Sequence, residues 1–334
     1  MSQTYLASIN NTLRHLLKKD ENVYLLGEDI IDPYGGAFKV TSKLSIRFPK
    51  RVIATPISES AIVGIAVGMA MRGLRPIVEI MFGDFITLCA DQIINHAAKF
   101  GPMFCSKVSV PLVIRTPMGG GRGYGPTHSQ SLEKLFLGIP QLTVIAPSQF
   151  HNPGKILGYA VISTNGPVLF IEHKLLYARK LILEESFPLS VETLQDETGY
   201  PIAIIKNFEE REPDVVIVSY GGMAILIEEV MRKLYEEEIR ILACIPSNLS
   251  LIPMDILVPI GESCKKVVVV EEGAGLFGWS AEVSCQFYTS LQNSGLTVRR
   301  ITSLSSIIPA ARHLEKKALP SSKLIEETIM EVIS

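Results

Sequence analysis

Short apolar runs alternate with stretches of helical periodicity along most of the chain. Leu6, Ile9, Leu13, Leu16 and Leu17 recur at helical spacing and predict a first helix. Residues 23–27 form a short apolar strand, followed by Glu28, Asp29 and a turn-rich loop at 33–36. A second strand at 51–54 leads through Thr55, Pro56, Ile57, Ser58 and Glu59 into the longest apolar run, 61–71. That run is rich in glycine and alanine. Gly64 and Gly68 share one helical face, where another helix can approach closely. A strand at 76–80 precedes a predicted helix over 84–100, with Ile86, Ala90, Ile93, Ile94 and Ala97 turned inward. The strand at 111–115 runs into a glycine-rich loop, MGGGRGYGPTHSQSLE, and the apolar spacing of Leu132, Leu135 and Phe136 predicts a helix start beyond it. A strand, a helix over 153–163 and another strand at 167–172 complete this half.

From 184 to 213 the pattern gives way to charged, proline-containing sequence, after which a second strand–helix series begins at 214. Strands alternating with helices predict an α/β protein of two domains, each a mainly parallel sheet with helices on both faces. The expected boundaries are a first domain over 1–185, a linker over 186–213 and a second domain over 214–334.

Composition narrows the class. Hydrophobic residues make up 47% of the 334 positions and charged ones 20%, a balance that points to extra surface buried against a partner chain. The net charge of −2, with no basic face, argues against nucleic acid as a partner. The apolar run at 61–71 is too short to cross a bilayer, and the amino terminus lacks the features of a signal peptide, so no membrane role is expected. Five scattered cysteines without a CxxC pair suggest reduced thiols in a cytoplasmic protein and no structural zinc.

Three titratable side chains fall after predicted strands, where ligands bind in parallel sheets: Glu28, Glu59 and His128. Glu59 opens a nearly all-apolar helix. There its carboxylate is either desolvated and poised for proton transfer or a plain helix cap. Glu28 and Asp29 read equally well as a solvated turn. His128 lies among Thr127, Ser129 and Gln130 in a loop whose five glycines allow close backbone approach to a ligand, and it too reads as a solvated surface residue. Phe82 and Phe85 flank Gly83 and Asp84, as stacking partners for an aromatic ligand or as core. No GxGxxG, GxxxxGK[ST] or HExxH pattern is present, and no metal-ligating set is predicted in this chain.

Several segments together resemble one family: Gly27-Glu28-Asp29 with Tyr34-Gly35-Gly36, Thr55 to Glu59, Gly73 to Pro76, Asp91 to Ile93 with Asn95 and Ala97 to Lys99, Gly125 to Gln130, and Glu271 to Gly273. They match, in order, the beta chain of the thiamine-diphosphate-dependent first component of 2-oxo acid dehydrogenases, in the transketolase superfamily. The match loosens towards Pro309, Ala310, Leu314 and Glu315. The resemblance implies that Glu59 holds N1′ of the cofactor's aminopyrimidine and shares a proton with it. It also implies that Phe85 stacks on that ring, that Ile57 gives a backbone contact and that His128 lies near the thiazolium and substrate. Glu28 would belong to an acidic relay between active sites, although Leu88 stands where some relatives carry a further acid. Asn165 lies in a loop comparable to one where relatives bind potassium.

The superfamily's diphosphate-binding Gly-Asp-Gly sequence is absent; Gly83-Asp84 is followed by Phe85. The resemblance therefore implies an alpha subunit that holds the diphosphate and Mg²⁺ in an α2β2 heterotetramer, with a lipoyl-bearing acyltransferase as a further partner. The expected function is decarboxylation of a 2-oxo acid with acyl transfer to a lipoyl group. The alternative is a split transketolase-like or acyloin-forming carboligase that passes the enamine to an aldehyde or sugar.

Overall fold

The computed structural model describes residues 3–209, 211–292 and 294–334. The chain divides into two compact units. The first comprises Met1–Met118, Leu135–Ile145 and Asn152–Lys180; the second comprises Gly119–Lys134, Ala146–His151 and Leu181–Ser334. Two stretches of the first half, the glycine-rich loop among them, thus pack with the second unit.

The first unit begins with α1 (Tyr5–Lys19), which Thr4 caps by accepting the Ala7 N–H at 3.2 Å. Tyr5, Ser8, Ile9, Leu13, Leu16 and Leu17 form its buried face, as the spacing predicts. Then come β1 (Val23–Gly27), α2 (Leu44–Arg47), β2 (Val52–Ala54), α3 (Glu59–Met71) and β3 (Arg75–Glu79). After these follow α4 (Ala98–Met103), β4 (Val113–Met118), β5 (Thr143–Ile145), α5 (Pro153–Ser163) and β6 (Val168–His173). The six strands pair in the order β2-β1-β3-β4-β6-β5, all parallel. Because both faces of such a sheet are covered, β4 and β6 are buried at every position, including the polar residues Arg115, Thr116, Glu172 and His173.

The second unit carries β7 (Ser190–Gln195), β8 (Pro201–Lys206), β9 (Val215–Ser219), α6 (Ala224–Tyr235), β10 (Ile241–Pro246) and α7 (Met254–Cys264). It continues through β11 (Lys266–Ala274), α8 (Trp279–Ser290), β12 (Thr297–Ser303), α9 (Arg312–Ala318) and α10 (Ser322–Ile333). Its order is β12-β11-β9-β10-β8-β7, parallel except where β8 runs against β7 and β10. The stretch expected as a linker, 186–213, thus contains two strands. Glu210, within that stretch, lies outside the described residues.

Two further expectations differ from the structure. The segment predicted as one helix over 84–100 is a 3-10 stretch, Gly83–Cys89, then a π-helical stretch, Gln92–Ala97, then α4. Of the residues expected to turn inward, Ile86, Ile93 and Ala97 are buried, while Ala90 and Ile94 are only half-buried, so the change of winding keeps part of the inward face. The expected helix start after the glycine loop is a single 3-10 turn, Glu133–Leu135, with Leu135 exposed and Phe136 buried.

A buried ion network ties the middle strands of the first sheet. Arg115, 1% exposed, meets Glu79 at 2.9 Å and Glu172 at 2.7 Å, and Tyr177 donates to Glu172 at 2.8 Å. The two carboxylates hold the guanidinium pKa above its ordinary value against the effect of burial, so Arg115 stays charged. The second oxygen of Glu79 accepts the Ala37 N–H at 2.7 Å. Gly36, at φ 74°, passes so close that an added Cβ would lie 2.5 Å from Glu79 Oε1, and glycine alone fits there. Arg115→Met would leave two carboxylates buried and uncompensated. We expect it to lower stability by about 3–5 kcal/mol, read from urea unfolding of the full chain.

Candidate functional site

In the first unit, Glu28 follows β1, Thr55 to Ser58 follow β2, and Ile80 to Phe85 follow β3. All lie at the carboxyl ends of adjacent parallel strands, where the sheet offers ligands a crevice. Glu59 is the first residue of α3 and 7% exposed; Ser58 before it makes no side-chain cap bond. Glu28 is half-buried, and its Oε1 has no hydrogen-bond partner. Burial raises the Glu28 pKa, and the nearby charges of Glu59 and then Asp29 raise it further. The thiol of Cys89 is pushed up to about 12 by burial and by Glu59. Glu28, Glu59 and Cys89 are therefore neighbours, with the partnerless hydroxyl of Thr55 in the same inter-strand stretch. The Glu28 carboxyl thus holds its proton more readily than an ordinary glutamate. An oxygen without a partner needs a donor from outside the chain.

Phe85 is half-buried and packs edge-on against Phe82 at 5.9 Å. Phe82 in turn meets Phe38 at 6.4 Å, and Phe38 lies 5.0 Å from Tyr177. Glu79 fixes the base of this row through Ala37, and Glu172 fixes it through Tyr177. Ile57 is 82% exposed, so its side chain fills no core. These groups can hold a flat heteroaromatic ring: carboxylates for its nitrogens, an aromatic face for stacking. The structure brings Glu28, Glu59 and Phe85 into one unit, on neighbouring strand ends.

His128 belongs to the second unit, on the glycine-rich loop. Its Nδ1 lies 3.0 Å from Thr127 Oγ1, and its N–H closes a turn onto Gly125 at 3.3 Å. Beneath the loop is a group of acids that sequence reading did not single out. Glu133 accepts a short hydrogen bond from Tyr220, and Glu272 accepts from Ser131 at 3.0 Å. Burial pushes Glu271 up to about 7, with Glu133 adding to the rise. Glu133 ends the glycine-rich stretch, and Glu271 and Glu272 belong to the family-like segment before Gly273, but nothing in the sequence joins the two. Their partners are far away in sequence, which is why pattern alone could not assemble the group.

Elsewhere in the first unit, a cavity of about 380 Å³ opens at the amino ends of β4 and β6, lined by Ser106, Val108, Ser109, Gln141, Asn165 and Pro167 among others. Among the described residues no cluster of three or more His, Cys, Asp or Glu could hold a metal, and no helix is long and apolar enough to cross a membrane.

Residues 2–180 match the transketolase pyrimidine-binding domain and residues 206–325 the transketolase C-terminal domain. The beta subunit of acetoin:2,6-dichlorophenolindophenol oxidoreductase from Cupriavidus necator is 37% identical, over 84% of this chain and 82% of its own. The beta-1 subunit of the mitochondrial pyruvate dehydrogenase first component from Arabidopsis thaliana is 35% identical, over 94% and 84%. The chain belongs to the transketolase family. Within it, the chain groups with the beta subunits of pyruvate dehydrogenase first components and of acetoin:2,6-dichlorophenolindophenol oxidoreductases, the Bacillus subtilis one being 32% identical over 98% of this chain and 96% of that one. The fold agrees with a split-gene transketolase, solved as an inactive beta4 tetramer, at a TM-score of 0.73 and 17% identity, covering 100% of this chain and 99% of that one. For this transketolase-family chain the dehydrogenase-subunit reading is thus favoured over the carboligase one.

The position of Glu271 has a measurable effect. Its folded pKa of about 7 lies above the ordinary 4.5, so the folded state binds its proton more tightly than the unfolded chain. Stability from this group is full below pH 4.5, falls as pH rises to 7 and is level beyond. Glu271→Gln should therefore leave stability unchanged at pH 4 and raise it by up to about 3 kcal/mol at pH 8. Denaturant unfolding at both pH values checks this, and an equal shift at the two would remove the assignment.

Proposed function

We propose that this chain is the beta subunit of a first-component dehydrogenase acting on a 2-oxo acid or acetoin, and that Glu59, Glu28, Phe85 and Ile57 receive the aminopyrimidine of thiamine diphosphate. The observation that carries this is the acidic pair at the ends of β1 and α3, one member with a buried oxygen lacking a partner, in the same unit as a half-buried phenylalanine. Bound there, the cofactor supplies a nucleophilic carbon and an electron sink for decarboxylation. Glu59 holds a proton at the ring nitrogen N1′, and its burial makes that nitrogen its main partner. Phe85 offers its face to the ring, while the Phe82–Phe38–Tyr177 row keeps it from turning away. Ile57 contributes backbone at the ring edge. Glu28 passes charge or a proton towards Glu59. His128 stabilises developing negative charge on the substrate oxygen or moves a proton there.

The diphosphate and Mg²⁺ fall to an alpha subunit, since this chain matches the pyrimidine-binding and C-terminal domains and carries no Gly-Asp-Gly sequence. An α2β2 assembly follows, with a lipoyl-bearing acyltransferase as acceptor of the acyl group. Five free cysteines fit a reducing, cytoplasmic setting.

Co-expression with an alpha subunit should give a complex that releases CO₂ from pyruvate or a branched-chain 2-oxo acid, or cleaves acetoin, with reduction of an artificial dye. Glu59→Gln in that complex should cut turnover by about 100- to 10,000-fold while sedimentation shows the assembly intact. Unchanged turnover would remove Glu59 from the chemistry. Carboligated product without dye reduction would transfer the same residues to the other reaction.

A further inference from the structure

The glycine-rich loop is held from outside by carboxylates that bond to its backbone. Glu272, on β11, accepts the Gly120 N–H at 2.6 Å and the Ser131 hydroxyl at 3.0 Å. Glu315, in α9, accepts the Gly121 N–H at 3.0 Å through one oxygen and the Gly123 N–H at 2.8 Å through the other. Glu315 is 1% exposed and Glu272 7%; the Gly120 bond is buried, while those of Gly121, Gly123 and Ser131 are part-buried. At the loop base, Gly119 donates to Gln130 at 3.3 Å, and Lys134 donates to the carbonyls of Ala274 and Leu276 at 3.0 and 2.9 Å. The loop lies flat on α9 and the residue after it. A Cβ at Gly120 would meet Leu319 at 2.7 Å, and one at Gly123 would meet Arg312 at 2.7 Å.

Charge-assisted bonds from carboxylates to backbone N–H groups are about twice as strong as neutral ones. Here three of them fall on four successive residues, in a segment that glycine would otherwise leave with little preference for one conformation. A loop that served only as a connection would need no such anchoring. His128 is five residues beyond the last clamped amide, where the chain has already been given its direction.

We propose that Glu315, together with Glu272, is a positioning residue for His128: the two carboxylates fix the loop in the shape that places the imidazole for reaction. This rests on the reading of His128 as a group at the reacting centre. Glu315 touches neither substrate nor cofactor in this role. It acts through the amides of Gly121 and Gly123.

The test uses the assembled complex with its alpha subunit and four beta-chain variants: Glu315→Gln, Glu272→Gln, His128→Asn and the Glu315→Gln/His128→Asn double variant. Hydrogen exchange over the loop peptide reads the clamp directly. Exchange at Gly121 and Gly123 should quicken by about tenfold or more in Glu315→Gln. The kcat should fall about 10- to 100-fold, with KM for the 2-oxo acid within about twofold. In the His128→Asn background the same change should quicken exchange again but cost no further kcat, because the group it positions is gone. Faster exchange with unchanged kcat would overturn the positioning role, as would a fully additive loss in the double variant. Should His128→Asn alone retain full activity, the reading of His128 would fall, and the proposal with it, while the exchange data would still report whether the clamp exists. If Glu315→Gln does not assemble, Glu272→Gln is held to the same outcomes at Gly120.

Discussion

One guanidinium sets the frame for the first unit. Arg115 sits on β4 between β3 and β6 and meets a carboxylate from each, with no route to water. Burying three charges is costly, and it is tolerable because nearly every oxygen in the group has a donor: Arg115 itself, the Tyr177 hydroxyl, the Ala37 amide. That last bond carries the network outward. Through Ala37 it fixes the turn holding Phe38, and through Tyr177 it fixes the far end of the ring row that reaches Phe85. Phe85 is thus linked, ring by ring, to the ion pair at the centre of the sheet.

Some acids of the two units contrast in how fully the chain occupies them. In the second, Glu272 and Glu315 are occupied by backbone donors, and Glu133 by Tyr220. In the first, Glu28 keeps an oxygen with nothing to bond to, beside the charge of Glu59. A carboxylate whose bonds are all internal shapes the chain. One left short of a donor is open to something the chain itself does not provide.

Much of the architecture was legible because it is local. The face of α1 and the β-branched runs of β9 and β11 each announce themselves by period or by composition. β7 did not, for a physical reason: it is an edge strand whose half-buried positions, Val191 and Leu194, are three apart, so no alternation is visible. The segment after Gly83 kept its inward residues but changed winding, since periodicity reports which side chains turn inward and not which carbonyl each amide reaches. Site residues showed a similar division. Glu59 and Phe85 could be singled out as candidates by position and by family likeness. The Arg115 network and the clamp on the glycine loop could not, because their members meet only in three dimensions.

The path of the chain also bears on how the protein is made. Phe150 is part of the second unit's core, packed among strands and helices that lie later in the chain. The amide of Gly121 finds its carboxylate 194 positions downstream. On a ribosome adding roughly 5 to 20 residues each second, that interval lasts on the order of 10 to 40 s. Throughout it the first sheet can form while the glycine loop lacks the carboxylate that holds Gly121 and Gly123. The segment carrying His128 is therefore among the last to acquire its shape during synthesis, long after the strand that introduces it.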